Sequence, residues 1–178
     1  MQSSSAEIAL AGVGTVALRP VTSGDEEFLL AVYASTRADE LAQVAWDAAQ
    51  KEAFLRMQFA GQWREYHARY PDAEYEVILL NGEAVGRLWI GRDAEQIRLL
   101  DIALLPTAQG RGVGGALVQR LIAEARASGK KLRHMVFVLN ADALRFYERL
   151  GFRVIEDLGA YKHMEWQAEV SGTNDEPT

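Results

Sequence analysis

Asp101-Ile102-Ala103-Leu104-Leu105-Pro106-Thr107-Ala108-Gln109-Gly110-Arg111-Gly112-Val113-Gly114-Gly115-Ala116 joins an apolar run, a proline stop and a turn dense in glycine. Gln96 to Leu105 reads as a strand that ends at Pro106. Beyond the glycines, Val113, Ala116, Leu117, Leu121 and Ala125 recur at helical spacing as far as Ser128, with Gly129 as the cap. The turn therefore joins a strand to the start of a helix. There the first N–H groups lack intrahelical acceptors and the helix dipole is positive, so an anion is favoured. Glycines let a phosphate approach the backbone with no Cβ in the way. A merely flexible turn is the plainer alternative.

Leu132 to Leu139 reads as the next strand, so strand, helix and strand around the turn require a parallel pair with a crossover helix. Upstream, Met1 to Gly14 is rich in Ser, Ala and Gly and reads as loose, and Thr15 to Arg19 as a strand stopped by Pro20. Ser23 with Glu26 forms a capping-box pattern ahead of a helix through Phe28, Leu29, Val32 and Tyr33. A second helix is expected from about Asp47 to Tyr70, ended by Pro71. Glu76 to Leu80 and Glu83 to Ile90 flank Asn81-Gly82, a strong hairpin signal. Downstream follow a short helix (Ala141 to Leu150), Gly151 as its cap, and strands at Phe152 to Ile155 and Tyr161 to Trp166. The class is mixed α/β: a mostly antiparallel sheet with one parallel central pair. One domain over residues 15–167 is expected, with a disordered tail over 168–178.

Composition excludes several chemistries. The 178 residues include no Cys, which removes disulfides, thiolate metal sites and a Cys nucleophile. Three His, widely spaced, form no zinc-hydrolase pattern, so no metal is expected. The net charge of −6 argues against a general nucleic-acid binder. No apolar run reaches the ~18 residues of a membrane span, and the start lacks a signal-peptide pattern, so a cytoplasmic protein is expected. Charge is nonetheless segregated: Arg98 to Arg153 holds 10 Lys/Arg against 4 Asp/Glu, and the remainder 9 against 21. A polyanionic ligand on the basic half would account for this, as would a mixed surface.

Gly110-x-Gly112-x-x-Gly115 also fits the dinucleotide fingerprint, and with it a nicotinamide-dependent oxidoreductase. The context disagrees. Four residues separate the strand from the first glycine, and Met135 to Asn140 offers no acid for a ribose.

Gln109-x-x-Gly112-x-Gly114 behind Asp101 to Pro106 resembles motif A of the GNAT superfamily of N-acetyltransferases. Asn140-x-x-Ala143-x-x-Phe146-Tyr147-x-x-x-Gly151-Phe152 resembles its motif B, in the right order and at a typical separation. The resemblance implies a GNAT-like fold whose central parallel strands splay into a cleft, and acetyl-CoA as acyl donor. The pantetheine arm would pair with the backbone of Ile102, Ala103 and Leu104. The pyrophosphate would rest on the turn, with Gln109, Gly110, Arg111, Gly112, Val113, Gly114 and Gly115 as contacts. Asn140, Ala143 and Tyr147 would complete the cofactor site, with Tyr147 aimed at the thioester sulfur.

The chemistry agrees with that role for Tyr147. The leaving thiolate has a pKa near ~8.5 if it behaves as a Cys thiol, and a phenol near ~10 can protonate it. Backbone N–H groups of Ile102 to Leu104 are candidate oxyanion donors. Tyr147 as a core aromatic and Asn140 as a helix N-cap are the structural alternatives. The general base is less clear. Positions that carry an acid in relatives hold Arg98, Leu100 and Met135, which leaves Asp101, then His134 and Glu95, or water, or an amine arriving neutral. The acceptor region is expected among Tyr33, Trp46, Phe59, Trp63, Tyr66, His67 and Tyr161, although packing accounts for most aromatics. The acceptor is a small-molecule amine or a protein amine; a homodimer is compatible with the family. A non-catalytic acyl-CoA-binding module is the competing reading.

Overall fold

The computed structural model describes residues 7–168. In order these form β1 (Ile8–Leu10), β2 (Gly14–Pro20), α1 (Glu26–Ala42), α2 (Ala48–Arg69), β3 (Glu74–Leu80) and β4 (Glu83–Arg92). There follow β5 (Gln96–Leu104), α3 (Val113–Ser128), β6 (Lys131–Phe137), α4 (Ala141–Arg149), β7 (Arg153–Asp157) and β8 (Tyr161–Trp166). The strands are ordered β1-β2-β3-β4-β5-β6-β8-β7, mostly antiparallel with β5 and β6 parallel, which is the expected mixed α/β class. Packing divides the described chain into two compact units. One holds residues 7–92 and Leu99–Val118; the other holds Asp93–Arg98 and residues 119–168.

In the first unit, Asn81 and Gly82 have φ of 53° and 82°, as the tight hairpin turn between β3 and β4 demands. Asn81 does more than turn the chain. Its Oδ1 accepts the Thr15 N–H (2.9 Å) and its Nδ2 donates to the Val13 carbonyl (3.3 Å). Gly14 makes room for this, since a Cβ there would sit 2.0 Å from Asn81 Oδ1. The segment read as loose thus contains Ile8–Leu10, a strand paired antiparallel to β2. The rest of that segment before Glu7, and the tail beyond Ala168, lie outside the described residues.

The start of α1 also corrects the expectation. Thr22 and Asp25, one residue earlier than Ser23 and Glu26, form the bracket. The Thr22 N–H and hydroxyl both donate to Asp25 Oδ2, at 2.7 and 2.9 Å. Arg19, at the end of β2, donates to both Asp25 oxygens at 2.8 and 2.6 Å, which selects this carboxylate over Glu26. The Arg19 guanidinium, helped by Thr22, holds the buried Asp25 carboxyl well below the usual carboxylate range. A group depressed in the folded state stabilises above its unfolded pKa of ~3.9 and loses that contribution as pH falls below it. Asp25→Asn is therefore expected to cost about 2 kcal/mol at neutral pH and to flatten the acid limb of stability. Urea unfolding of both proteins at pH 7 and pH 3 checks it; equal acid losses in both would exclude Asp25 as the cause.

The core of this unit lies between α1, α2 and the sheet. Leu29, Leu30, Tyr33 and Phe59 form one buried cluster, with Phe28, Leu55 and Trp63 packed against it. α2 starts where expected, and Asp47 caps it, its Oδ1 accepting the Gln50 N–H at 2.8 Å.

In the second unit, Leu121, Ile122 and Ala125 of α3 are buried, as are Leu132, Val136, Tyr147, Phe152, Met164 and Trp166. Gly129 (φ 66°) ends α3: its N–H reaches the Arg126 carbonyl, and the Lys130 N–H that of Ala125. β6 stops at Phe137, two residues before the expected end, because the Asn140 N–H turns back to the Phe137 carbonyl at 2.9 Å. No helix among the described residues is long and apolar enough to cross a membrane.

Candidate active site

The glycine turn belongs to the first unit. β5 ends at Leu104, Pro106–Ala108 makes one 3-10 turn, and α3 begins at Val113. Gly110 and Gly112 have φ of 69° and 83°, which L side chains rarely adopt. A Cβ built on either meets no atom within 4 Å, so the cradle opens on the side where a side chain would stand. The Ala116 N–H makes an early bond of α3, to the Gly112 carbonyl at 3.0 Å; the N–H groups of Val113, Gly114 and Gly115 precede it. Val113 is buried and anchors the helix start, whereas Arg111 is exposed.

β4 sets the height of this turn. Ile78 pairs with Gly86 but Leu79 with Ala84, so Val85 is an extra residue. Its carbonyl accepts the Leu105 N–H at 2.8 Å. At Gly86 a Cβ would lie 2.3 Å from the Ala103 carbonyl oxygen, so the two strands meet too closely for any side chain. Ala103 thus faces β4, and strand geometry turns the main-chain groups of Ile102 and Leu104 to the opposite edge. Gln109 Nε2 meets the Leu104 carbonyl there at 2.9 Å and ties the turn to its strand.

Asp101 sits in a buried polar cluster of the same unit. Arg87, 1% exposed, donates from Nε to Asp101 Oδ2 (2.6 Å) and from Nη2 to Gln62 Oε1 of α2 (3.1 Å). Its guanidinium lies 4.4 Å from the centre of the Trp89 ring. Arg87 Nη1 and Trp89 Nε1 are buried without an acceptor among the described residues. Tyr66 donates its hydroxyl to the Leu100 carbonyl at 3.3 Å; burial, and then the Asp101 charge, push its pKa up to about 12. The Asp101 side chain is 22% exposed.

The expected acceptor aromatics are only partly brought together. Trp63 lies 4.1 Å from His67, 5.7 Å from Trp89 and 6.2 Å from Phe59, and Phe59 lies 5.8 Å from Tyr33. Tyr66 joins through Trp89 at 5.1 Å. Trp46 stands apart, edge-on to Phe54 and 41% exposed. Tyr161 belongs to the second unit and packs on Phe137.

The second unit holds motif B. Asn140 Oδ1 accepts the Ala143 N–H at 3.0 Å, so Asn140 is the N-cap of α4 and Ala143 its third residue. Asn140→Ala is expected to lower stability by about 1 kcal/mol, read as a shift of the urea midpoint; no shift would mean that the cap carries no net stability. Tyr147 is 3% exposed, its ring 4.8 Å from His134, 5.0 Å from Phe146 and 5.2 Å from Phe152. The helix closes on this residue. Phe152 N–H bonds to the Tyr147 carbonyl (3.0 Å) and Gly151 N–H to that of Glu148 (3.0 Å), with Gly151 at φ 91°. Glu95 lies in the exposed turn before β5, where its carbonyl accepts the Lys131 N–H.

From the sequence, Gln62 reads only as part of one side of the second helix, and Arg87 and Trp89 only as parts of a strand, with no role at the site. A lone Arg between Gly86 and Leu88 in an apolar strand is the one signal that pointed to a buried charge partner. No group of three or more His, Asp or Glu among the described residues is placed to hold a metal ion.

The chain matches the acetyltransferase (GNAT) family over residues 29–152. It is 26% identical over 160 residues to an uncharacterized N-acetyltransferase of Methanocaldococcus jannaschii, covering 85% of this chain and 67% of that protein. It is 28% identical over 131 residues to mycothiol acetyltransferase of Corynebacterium glutamicum, covering 68% of this chain and 45% of that enzyme. The chain thus spans less than half of the latter's length. The crystal structure of PaiA N-acetyltransferase from Thermoplasma acidophilum in complex with coenzyme A superposes with a TM-score of 0.64 at 18% identity, over 86% of this chain and 99% of that one. At that identity the likeness is one of fold.

Proposed function

The chain belongs to the GNAT family of acetyltransferases, and from that premise we propose that it moves an acetyl group from acetyl-CoA to a primary amine by direct attack. The observation that carries this is the open cradle at Gly110 and Gly112. Left-handed backbone, absent side chains and the unbonded first N–H groups of α3 suit a pyrophosphate. In this reading Gln109, Gly110, Arg111, Gly112, Val113, Gly114 and Gly115 hold the phosphates. Ile102 and Leu104 present their main-chain edge to the pantetheine arm, and Ala103 keeps that edge in place through β4. Asn140 and Ala143 shape the site from the start of α4.

The amine nitrogen attacks the thioester carbonyl, the C–S bond breaks, and the Tyr147 hydroxyl gives its proton to the departing sulfur. Asp101 takes the proton that the ammonium sheds. One of its oxygens is held by Arg87, and the other makes no hydrogen bond within the described residues. Residues 15–167 act in this as one catalytic domain. The relatives named mycothiol acetyltransferase and aminoalkylphosphonate N-acetyltransferase favour a small-molecule amine as acceptor.

Thiol release from acetyl-CoA across a panel of amines tests the reading, with coenzyme binding measured alongside. Binding with release that depends on the amine is expected. Binding without release for any amine would identify an acyl-CoA-binding module instead. Binding of NAD but not of acetyl-CoA would revive the oxidoreductase.

A further inference from the structure

We propose that the first unit carries a second ligand site, for a free α-amino acid with a large apolar side chain. A cavity of about 570 Å³ lies between the start of α1 and the middle of α2; Phe59 and Trp63, two of the expected acceptor aromatics, line it, but none of the residues proposed above to hold acetyl-CoA or to move a proton does. Its volume is within the usual range of small-molecule sites. Its floor is Leu29, Leu30, Phe59 and Trp63, a surface suited to an aliphatic or aromatic body.

The charges at its rim identify the head group. Arg56 is already committed, to Glu27 at 2.8 Å and to Glu52 at 3.1 Å. Glu26, in the first turn of α1, and Arg64, on α2, line the same cavity from different helices. Neither has an oppositely charged partner among the described residues. Arg64 bonds only through Nε, to the Ala60 carbonyl at 3.3 Å, which leaves the fork of its two terminal nitrogens for a carboxylate. One acid and one base beside an apolar floor match a zwitterion: ammonium to Glu26, carboxylate to Arg64, side chain onto Phe59 and Trp63. A plain amine would leave the guanidinium unmatched, and a plain acid would meet the Glu26 charge. The proposal does not depend on the transfer reaction.

Calorimetry with L-phenylalanine, phenethylamine and 3-phenylpropionate on the intact chain tests it. L-phenylalanine is expected to bind at least about tenfold more tightly than either analogue, since each analogue lacks one charged partner. Glu26→Gln and Arg64→Gln should each weaken it by a similar factor, and Ala60→Trp, which fills the cavity, should remove it. Circular dichroism and urea unfolding establish that the variants fold. Absence of binding, equal binding of the amine or the acid, or binding that survives Ala60→Trp in a folded protein would each overturn the proposal.

Discussion

Tyr147→Phe is expected to lower turnover by about 100-fold while acetyl-CoA affinity stays near its starting value. The ring contacts with His134, Phe146 and Phe152 survive the change, so the helix and its surroundings keep their packing. Only the hydroxyl is lost. Without it the sulfur leaves as a bare thiolate, and the amine is expelled instead of the thiol more often. Single-turnover rates at saturating acetyl-CoA, beside a binding titration, separate the two quantities. An unchanged rate under conditions where chemistry limits would remove Tyr147 from the mechanism. A parallel loss of affinity and rate would make it a packing residue of the site.

Gly112→Val is expected to abolish acetyl-CoA binding in a protein that still folds. Two effects act together. The branched side chain would occupy the open side of the turn, where nothing now lies within 4 Å, and so obstruct a phosphate. The φ of 83° also strains any β-branched residue, at a cost of about 1–2 kcal/mol. Gly112→Asn separates them, because Asn tolerates left-handed backbone yet still places atoms in the cradle. Both variants should lose binding, and only the valine variant should lose appreciable stability. Normal calorimetric binding by either folded variant would show that phosphates are held elsewhere.

The sequence made the elements legible wherever local chemistry settles them. Asn81-Gly82, Gly129 and Gly151 each sit where their turn or cap was expected, since each satisfies a backbone demand set within a few residues. The Thr22–Asp25 bracket was missed because Arg19, on the preceding strand, decides which acid is fixed. Strand β1 was missed because three residues are too few for a periodic signal, and the turn that leads from it into β2 is braced by Asn81, far along the chain. At the candidate site, the glycine spacing pointed to the open turn and the motif resemblance to Tyr147, but neither pointed to the surroundings of Asp101. The Arg87 and Gln62 contacts join β4, β5 and α2, and nothing periodic in any one segment announces them.

The way α4 closes has a practical reach. Because the amides of Gly151 and Phe152 are tied to the carbonyls of Glu148 and Tyr147, their exchange with deuterium reports how firmly the phenol-bearing turn is latched. A spectroscopist can therefore follow the anchoring of Tyr147 from two neighbouring backbone signals, in the wild-type chain and without a probe on the ring.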